Sequence, residues 1–357
     1  IYGLQLLATP ETTKFLLASL KDKSQGVRNS AAAGLKRVAA HLEPSQCIAI
    51  MNGIDRNTKI SVLQASSAFD LALRRKLLRL GLKDKDVFVR ETALFGNCQR
   101  GKESVLTAED LASSLNSDKP NIRRAAAMAA GVLKDKDASA TILKKLAVDK
   151  DFGVRLKVAM GLKNCSPKEA VTIAKMLLKD TGFAIRVSAI RSLGEIQAPE
   201  AIALVVDFAK DKHITVRYAA VHSLARQNAK ELSEYLAAVY NEADYNEKMR
   251  LIPYLGRLPA DEANKLLTKA IKSTHISYRS SVAHNLKGYP KDIAFACASL
   301  LIEDKSSKIR LPVAGFLAKH KDDKKVWRML KKLETDSHTQ ISWIAKEAMK
   351  SRQSSQP

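Results

Sequence analysis

"LKDKSQGVRNSAAAGL", residues 20–35, decides the fold of this chain, because near-copies of it recur along the sequence. The copies share an Asp, an Arg six residues later, and small apolar residues beyond the Arg. The clearest are LKDKDVFVRETAL at 82–94, LKDTGFAIRVSAI at 178–190 and AKDKHITVRYAAV at 209–221. A phrase that recurs at a regular period indicates a repeat architecture, in which it is either a binding motif multiplied for avidity or a structural device.

Alignment on the Arg position divides the 357 residues into eleven units, spaced 29 to 33 residues apart. Units of this length predict a row of stacked supersecondary elements. The aligned positions are Arg28, Ser61, Arg90, Arg123, Arg155, Arg186, Arg217, Arg250, Arg279, Arg310 and Ser342.

Each unit is predicted to contain two helices joined by a short polar turn, typically Lys-Asp-Lys. Proline opens several of the first helices, as in Glu43-Pro44 and Ser166-Pro167, where its missing N–H costs nothing. Apolar residues follow at helical spacing in both halves. One such pair cannot bury its apolar stripe alone, but stacked pairs can. The predicted fold is therefore all-α: an α-solenoid of about eleven stacked two-helix repeats, continuous over residues 1–350.

The spacing of Asp and Arg resembles that of HEAT repeats, whose units carry an Asp in the inter-helix turn and an Arg six residues later in the second helix. The period resembles that of the short HEAT-like repeats of phycobilisome-lyase-type proteins. Two more units keep the Asp without the Arg, at Asp55 and Asp336. The full pairs are Asp22/Arg28, Asp84/Arg90, Asp149/Arg155, Asp180/Arg186, Asp211/Arg217, Asp244/Arg250 and Asp304/Arg310.

We interpret these pairs as a structural feature, called here the arginine–aspartate ladder. The turn Asp is expected to accept hydrogen bonds from free N–H groups at the start of the second helix. The Arg fork has enough donors to bridge its own Asp and the turn of the next repeat. The opening phrase is then mainly architecture.

The formal net charge is +23 and the pI about 9.8, which points to an acidic or polyanionic partner. The arginines and aspartates of the ladder balance each other in charge, so other residues carry the excess positive charge. Lysines flank the turn Asp on both sides and should stack into one stripe, called here the lysine edge. This stripe is either a solvated edge that keeps the array soluble or a track for a polyanion or acidic surface. Its members are Lys21, Lys23, Lys83, Lys85, Lys150, Lys179, Lys210, Lys212, Lys272 and Lys305.

The second-helix face that lines the concave side of HEAT proteins is mixed in character. Arg191, His222 and His284 lie five residues after the aligned position and suggest a polar partner-binding patch. The two histidines are two layers apart, too far to share a metal ion. Aromatic residues make up 5% of the chain, and the lysine edge is expected to hold almost none. The two tryptophans, Trp327 and Trp343, are expected in the core or a cap.

The four cysteines are widely separated, which is typical of small core residues in a reducing compartment. We see no signal peptide and no apolar run of transmembrane length. We therefore expect a soluble intracellular protein, cytoplasmic or nuclear. At the ends, IYGL at 1–4 aligns with AAGL at 32–35, so the first repeat is expected to be truncated and the natural polypeptide to extend further. Residues 351–357 are expected to form a polar tail.

Three HEAT-type enzyme families set the alternatives for function. Deoxyhypusine hydroxylase carries His-Glu pairs as iron ligands, and no histidine here is followed by Glu. HEAT-like DNA glycosylases hold DNA in a basic groove that contains aromatic residues. The basic charge of this chain agrees with that family, but the chain has no tryptophan in its middle part. Phycobilin lyases share the repeat type, without a bilin site visible here. The favoured hypothesis is a non-enzymatic scaffold without cofactor. It would engage an acidic protein through its concave face and lysine edge, with backbone-only nucleic-acid binding as the alternative.

Overall fold

The structure, a computed structural model, describes residues 10–20, 22–38, 42–53, 55–98, 104–227 and 229–353. Within these ranges the chain forms 22 α-helices and short 3-10 segments, with no strand. This confirms the predicted all-α repeat fold. None of the described helices is long and apolar enough to cross a membrane.

The chain divides into two compact units, Ile1–Leu204 and Val205–Pro357, with α13 (Pro199–Asp207) at the division. The helices of the first unit are α1 (Pro10–Ser19), α2 (Gln25–Val38), α3 (Pro44–Asn52), α4 (Arg56–Gln64), α5 (Leu71–Leu82), α6 (Val87–Asn97), α7 (Ala108–Leu115), α8 (Pro120–Ala130), α9 (Lys136–Leu146), α10 (Phe152–Gly161), α11 (Pro167–Leu177) and α12 (Phe183–Leu193). Those of the second unit are α14 (Ile214–Arg226), α15 (Leu232–Glu242), α16 (Tyr245–Leu251), α17 (Ala260–Ile271), α18 (Ile276–Asn285), α19 (Lys291–Leu301), α20 (Ser307–Ala318), α21 (Lys324–Leu333) and α22 (Thr339–Gln353).

Local signals place the helix starts where the sequence indicates them. Pro44 and Pro167 begin first helices of repeats, as predicted. Second helices start behind a capping residue, and in α4, α6 and α10 that cap is Asp55, Asp86 or Asp151, whose carboxylate accepts an N–H of the first turn. Such caps satisfy backbone donors that have no partner inside the helix.

The core forms where the apolar stripes of stacked helices meet. In the first unit α8 packs on α10 and α10 on α12, while in the second unit α18 packs on α20 and α20 on α22. The facing residues are small, and five alanines of α8 are fully buried: Ala125, Ala126, Ala127, Ala129 and Ala130. Small side chains permit this close approach of neighbouring helices. The core therefore runs from repeat to repeat within each unit, as expected of a solenoid.

The polar tail predicted at 351–357 starts later than expected. Helix α22 continues to Gln353, and the Ser351 hydroxyl donates to the Ala348 carbonyl at 3.1 Å. The last turn of a helix can be exposed and therefore polar, so the loss of the apolar pattern at residue 351 did not coincide with the end of the helix. Residues 354–357 and the predicted truncated repeat at residues 1–9 lie outside the described residues.

Candidate partner-binding edge

The inter-helix turns are closed by the ladder aspartates. Except at Asp55 and Asp244, each carboxylate accepts the backbone N–H two residues on. Asp84 accepts from Asp86 and Asp149 from Asp151, both at 2.8 Å, and Asp304 accepts from Ser306 at 2.9 Å. The accepted N–H therefore belongs to the residue that caps the second helix, one step before the position we predicted. The Asp rigidifies the turn, and a separate residue caps the helix.

The ladder arginines connect two successive turns. The Nη1 group donates to main-chain carbonyls of its own turn, and Arg155 reaches those of Asp149 and Lys150 at 2.8 and 3.1 Å. The same guanidinium pairs with the carboxylate of the next turn, at 2.6 Å from Arg155 to Asp180. The predicted bridge to the arginine's own Asp thus runs through the carbonyl. Equivalent pairs are Arg123–Asp149 in the first unit and Arg279–Asp304 and Arg310–Asp336 in the second.

Two positions of the predicted ladder are wrong by two residues. Lys59, and not Ser61, pairs with the next turn, 2.7 Å from Asp84, while Asp55 caps α4. Asp244 likewise caps α16, Arg250 is exposed, and Arg217 pairs with Glu242. Placing the aligned positions at Lys59 and Lys248 replaces the irregular intervals of 33 and 29 by a constant 31.

The ladder pairs are buried, and both burial and the paired cation change the pKa of the ladder carboxylates. The side chains of Arg123 and Asp149 are 7% and 9% exposed. The hydrogen bond from Arg123 lowers the pKa of Asp149 below its ordinary value, against the opposing effect of burial. Burial raises the pKa of Asp84, but the Lys59 hydrogen bond, the Asp86 N–H and nearby lysine charge outweigh it, so the net pKa is lowered. Both partners thus stay charged and neutralise each other.

The lysine edge keeps its charge free. Lys21 lies outside the described residues, and the other predicted members are all exposed. Among the described residues none of them forms an ion pair, and the Lys210 ammonium group lies over the Tyr235 ring, 5.3 Å from its centroid. The ladder holds several of them by the main chain, because its arginines donate to the carbonyls of Lys23, Lys85, Lys150 and Lys212. The backbone is therefore fixed while the ammonium group stays in water.

Aromatic side chains accompany these lysines, contrary to our expectation. Phe88, Phe152 and Phe183 in the first unit are 52%, 47% and 44% exposed, and Tyr245 in the second is 40% exposed. All four lie in the first turn of a second helix. The turns before Phe88, Phe152 and Phe183 carry edge lysines, whereas the turn before Tyr245 carries none. The low aromatic content of the whole chain did not predict these exposed rings, because composition does not say where in the repeat an aromatic residue lies.

A family described as HEAT repeats matches residues 74–163, 108–186 and 170–248, so the matches run without a break from 74 to 248. The chain belongs to the HEAT-repeat superfamily. The narrower resemblance to the phycobilisome-lyase type stays a prediction. No curated protein matches the HEAT chain.

Several solved structures are similar to this HEAT chain. An engineered protein aligns over 95% of this chain and 98% of its own, at 18% identity and a TM-score of 0.46. A chain of a homology model of the full-length AP-3 complex aligns over 74% of this chain, at 22% identity and a TM-score of 0.56. That alignment spans 54% of the AP-3 chain. YibA of Escherichia coli aligns over 80% of this chain and all of its own, at 14% identity and a TM-score of 0.48. The AP-3 likeness shows the fold.

The second-helix face of the HEAT repeats, which the sequence indicates to be mixed in character, carries an apolar strip in the first unit. In the first unit Phe95 and Met160 are 40% and 49% exposed, with the half-buried Met128 at the same position of the intervening repeat. Arg191 follows at this position and is exposed on α12. Exposed methionine and aromatic side chains are typical of surfaces that adapt to a protein partner.

The two histidines of the predicted patch lie in the second unit and differ from each other. His222 is half-buried between Tyr218 and Tyr254, with ring centroids 5.9 and 5.7 Å away. His284 is exposed, and its Nδ1 is 2.8 Å from the Ser280 carbonyl on the same helix. Their partner-binding role stays a prediction. Trp327 and Trp343 are 39% and 62% exposed, so neither lies in the core, and their place in a cap, the other expectation, stays a prediction.

The cysteines lie where small core residues were predicted. Cys47, Cys165 and Cys297 are buried and Cys98 half-buried, all as free thiols. Burial raises the pKa of Cys47 to about 11 and that of Cys297 to about 12. Thiols held protonated in this way are poor nucleophiles. Within the described ranges no group of three or more His, Cys, Asp and Glu residues is arranged to hold a metal ion.

Proposed function

We propose that this HEAT array is a non-enzymatic scaffold that binds an acidic protein along its lysine edge. The observation that carries the proposal is that the described edge lysines are exposed and form no ion pair with the described residues, while the turn acids beside most of them are held within the ladder. A positive field along the edge attracts and orients an acidic partner.

The exposed aromatic residues favour a protein partner over nucleic acid. Base-stacking platforms need rings with an open face. Phe152 instead lies against the following turn, where a Cβ placed on Gly182 would be 2.9 Å from its ring. A ring held in this way offers apolar area to a protein surface, since aromatic residues are enriched at protein interfaces. The apolar strip of Phe95, Met128 and Met160 offers further area in the same unit.

A charge-reversal pair of variants tests the proposal. In one variant Lys83, Lys85, Lys210 and Lys212 become Glu. In the matched control, Lys76, Lys144, Lys175 and Lys265, which are exposed on first helices, become Glu, so both variants change the charge equally. Captured protein from native lysate is quantified with and without nuclease, using the original chain and both variants.

We expect nuclease-resistant capture of an acidic protein that only the edge variant loses. Capture abolished by nuclease, with a 260/280 nm absorbance ratio that falls after a high-salt wash, would replace the acidic protein by nucleic acid. Equal capture by both variants would show that the lysine edge is only a solvated surface.

A further inference from the structure

The ladder is interrupted once in the second unit, at the turn between α17 and α18. Lys248 precedes Arg279 by 31 residues, as Lys59 precedes Arg90 in the first unit. Lys59 there pairs with Asp84, which lies six residues before Arg90. The residue six before Arg279 is Ser273, whose carbonyl accepts from Arg279 at 2.8 Å in the usual ladder geometry. Lys248 therefore occupies the position of a ladder cation whose carboxylate partner is absent.

A surface cavity of about 330 Å³ lies at this interruption. This volume falls at the lower end of the range for small-molecule sites, roughly 300–1,000 Å³. Two lysines contribute to its walls, and five further lining residues carry an amide or hydroxyl group. The polar residues of the lining are Lys248, Lys269, Tyr240, Asn241, Ser273, Thr274 and Tyr278.

Both charged side chains that line the cavity are lysines, and the lining residues include no Asp or Glu. Lys248 is half-buried, and neither it nor Lys269 forms an ion pair with any described residue. The acids at the start of α16 form a capping box, in which Asp244 accepts the Glu247 N–H at 2.8 Å and Glu247 accepts the Asp244 N–H at 3.3 Å. These hydrogen bonds do not neutralise the two carboxylates, and burial together with the charges of Tyr245 and Asp244 raises the pKa of the lining Tyr278. Glu242 pairs with Arg217. The N-terminus of α18 directly follows Thr274 and His275, and a helix N-terminus adds partial positive charge.

We propose that this cavity binds a phosphate group, which takes the place of the missing ladder carboxylate against Lys248. A phosphate group carries a charge of about −1.5 to −2 and three acceptor oxygens, which matches two ammonium groups surrounded by hydroxyl donors. The cavity exceeds the size of five heavy atoms, so it accepts the ion free or carried on an organic group. None of its lining residues belongs to the lysine edge, so the site stands separately from the proposed function.

Two substitutions and one control test the site in the full chain. Lys248→Met removes the cation. Ser273→Asp supplies the carboxylate that Asp84 provides in the first unit. Lys287→Met removes an exposed lysine of the same unit that does not line the cavity. Each protein is titrated with inorganic phosphate and with O-phosphoserine by calorimetry, at ionic strength matched with sodium chloride, and its Tm is measured with and without each probe.

We expect saturable binding to the original chain and to Lys287→Met, weakened about ten- to a hundredfold by Lys248→Met. Ser273→Asp should raise the Tm measured without phosphate and abolish the further rise in Tm that phosphate causes. Tighter binding of O-phosphoserine would identify a phosphorylated side chain as the ligand source, and equal binding would identify free phosphate. No saturable binding, or undiminished binding by both Lys248→Met and Ser273→Asp, would overturn the proposal.

Discussion

Asp149, Asp180, Asp304 and Asp336 are each coupled to the arginine of the preceding repeat. Asp149 receives two hydrogen bonds from Arg123, at 2.7 and 2.9 Å, whereas Arg155 reaches only its main-chain carbonyl. Double-mutant cycles with alanine should therefore give a coupling free energy of about 1–3 kcal/mol for Arg123 with Asp149. The cycle for Asp149 with Arg155 should give less than about 0.5 kcal/mol. Chemical unfolding measures both, and the reverse order would contradict this assignment of partners.

Acid should weaken the ladder. The Arg123 hydrogen bond lowers the pKa of Asp149, so the ionised carboxylate favours the folded state. A lowered folded-state pKa gives stability that is fully present above the ordinary Asp pKa of about 3.9 and is lost as pH falls below it. Asp149→Asn should therefore lose less unfolding free energy than the original chain between pH 6 and pH 3, although it is less stable at pH 6. Urea unfolding at several pH values measures this, and parallel curves would contradict it.

The buried cysteines should react only after unfolding. With the pKa of Cys297 raised to about 12, the thiolate fraction at pH 8 is roughly one in ten thousand. A thiol reagent at pH 8 should label Cys47, Cys165 and Cys297 slowly in the native protein and completely in urea. Rapid native labelling of these three would show that the repeats around them open readily.

At the scale of helices, glycine marks where neighbouring repeats touch. A Cβ on Gly81 in α5 would lie 2.8 Å from the Ala93 Cβ and 3.0 Å from the Leu63 side chain. Gly81→Ala should therefore destabilise the protein by about 1–3 kcal/mol. Gly315→Ala in α20, where nothing lies within 4 Å, should stabilise it by about 0.5–1 kcal/mol. Thermal unfolding compares the two, and equal effects would contradict the packing described.

The period of the sequence predicted the helix pairs, their turns and the ladder, because each of these repeats every 31 residues or so. Repeats that depart from the regular period were harder to align correctly. The intervals of 33 and 29 around Ser61 and Arg250 were the visible sign that the ladder cation lies two residues earlier, at Lys59, which pairs with Asp84, and at Lys248, which has no carboxylate partner among the described residues. The exposure of Phe152 and Phe183 was not predicted, because it depends on the first turn of a helix and not on periodicity. Which carboxylate each Arg contacts is a tertiary property that spacing alone leaves open.

At the scale of the whole molecule, damage to the ladder should stay local. Contacts in a solenoid are made between nearest neighbours, so stability is close to a sum over repeats and their interfaces. Arg123→Ala should speed amide hydrogen exchange in α8, α9 and α10 and leave α17 to α22 unchanged. Exchange followed by mass spectrometry reports both regions, and a uniform increase along the chain would indicate one cooperative unit instead.

The salt dependence of partner binding tests the role of the lysine edge most directly. Affinity for the captured partner is measured over a range of salt concentrations for the original chain, the edge variant with Lys83, Lys85, Lys210 and Lys212 changed to Glu, and the first-helix control. We expect the edge variant to bind more weakly and with a shallower slope of log affinity against log salt, and the control to keep the original slope. A slope near −5 would indicate about six neutralised phosphates of a duplex. Identical affinity and slope for the edge variant and the control would contradict binding through the lysine edge.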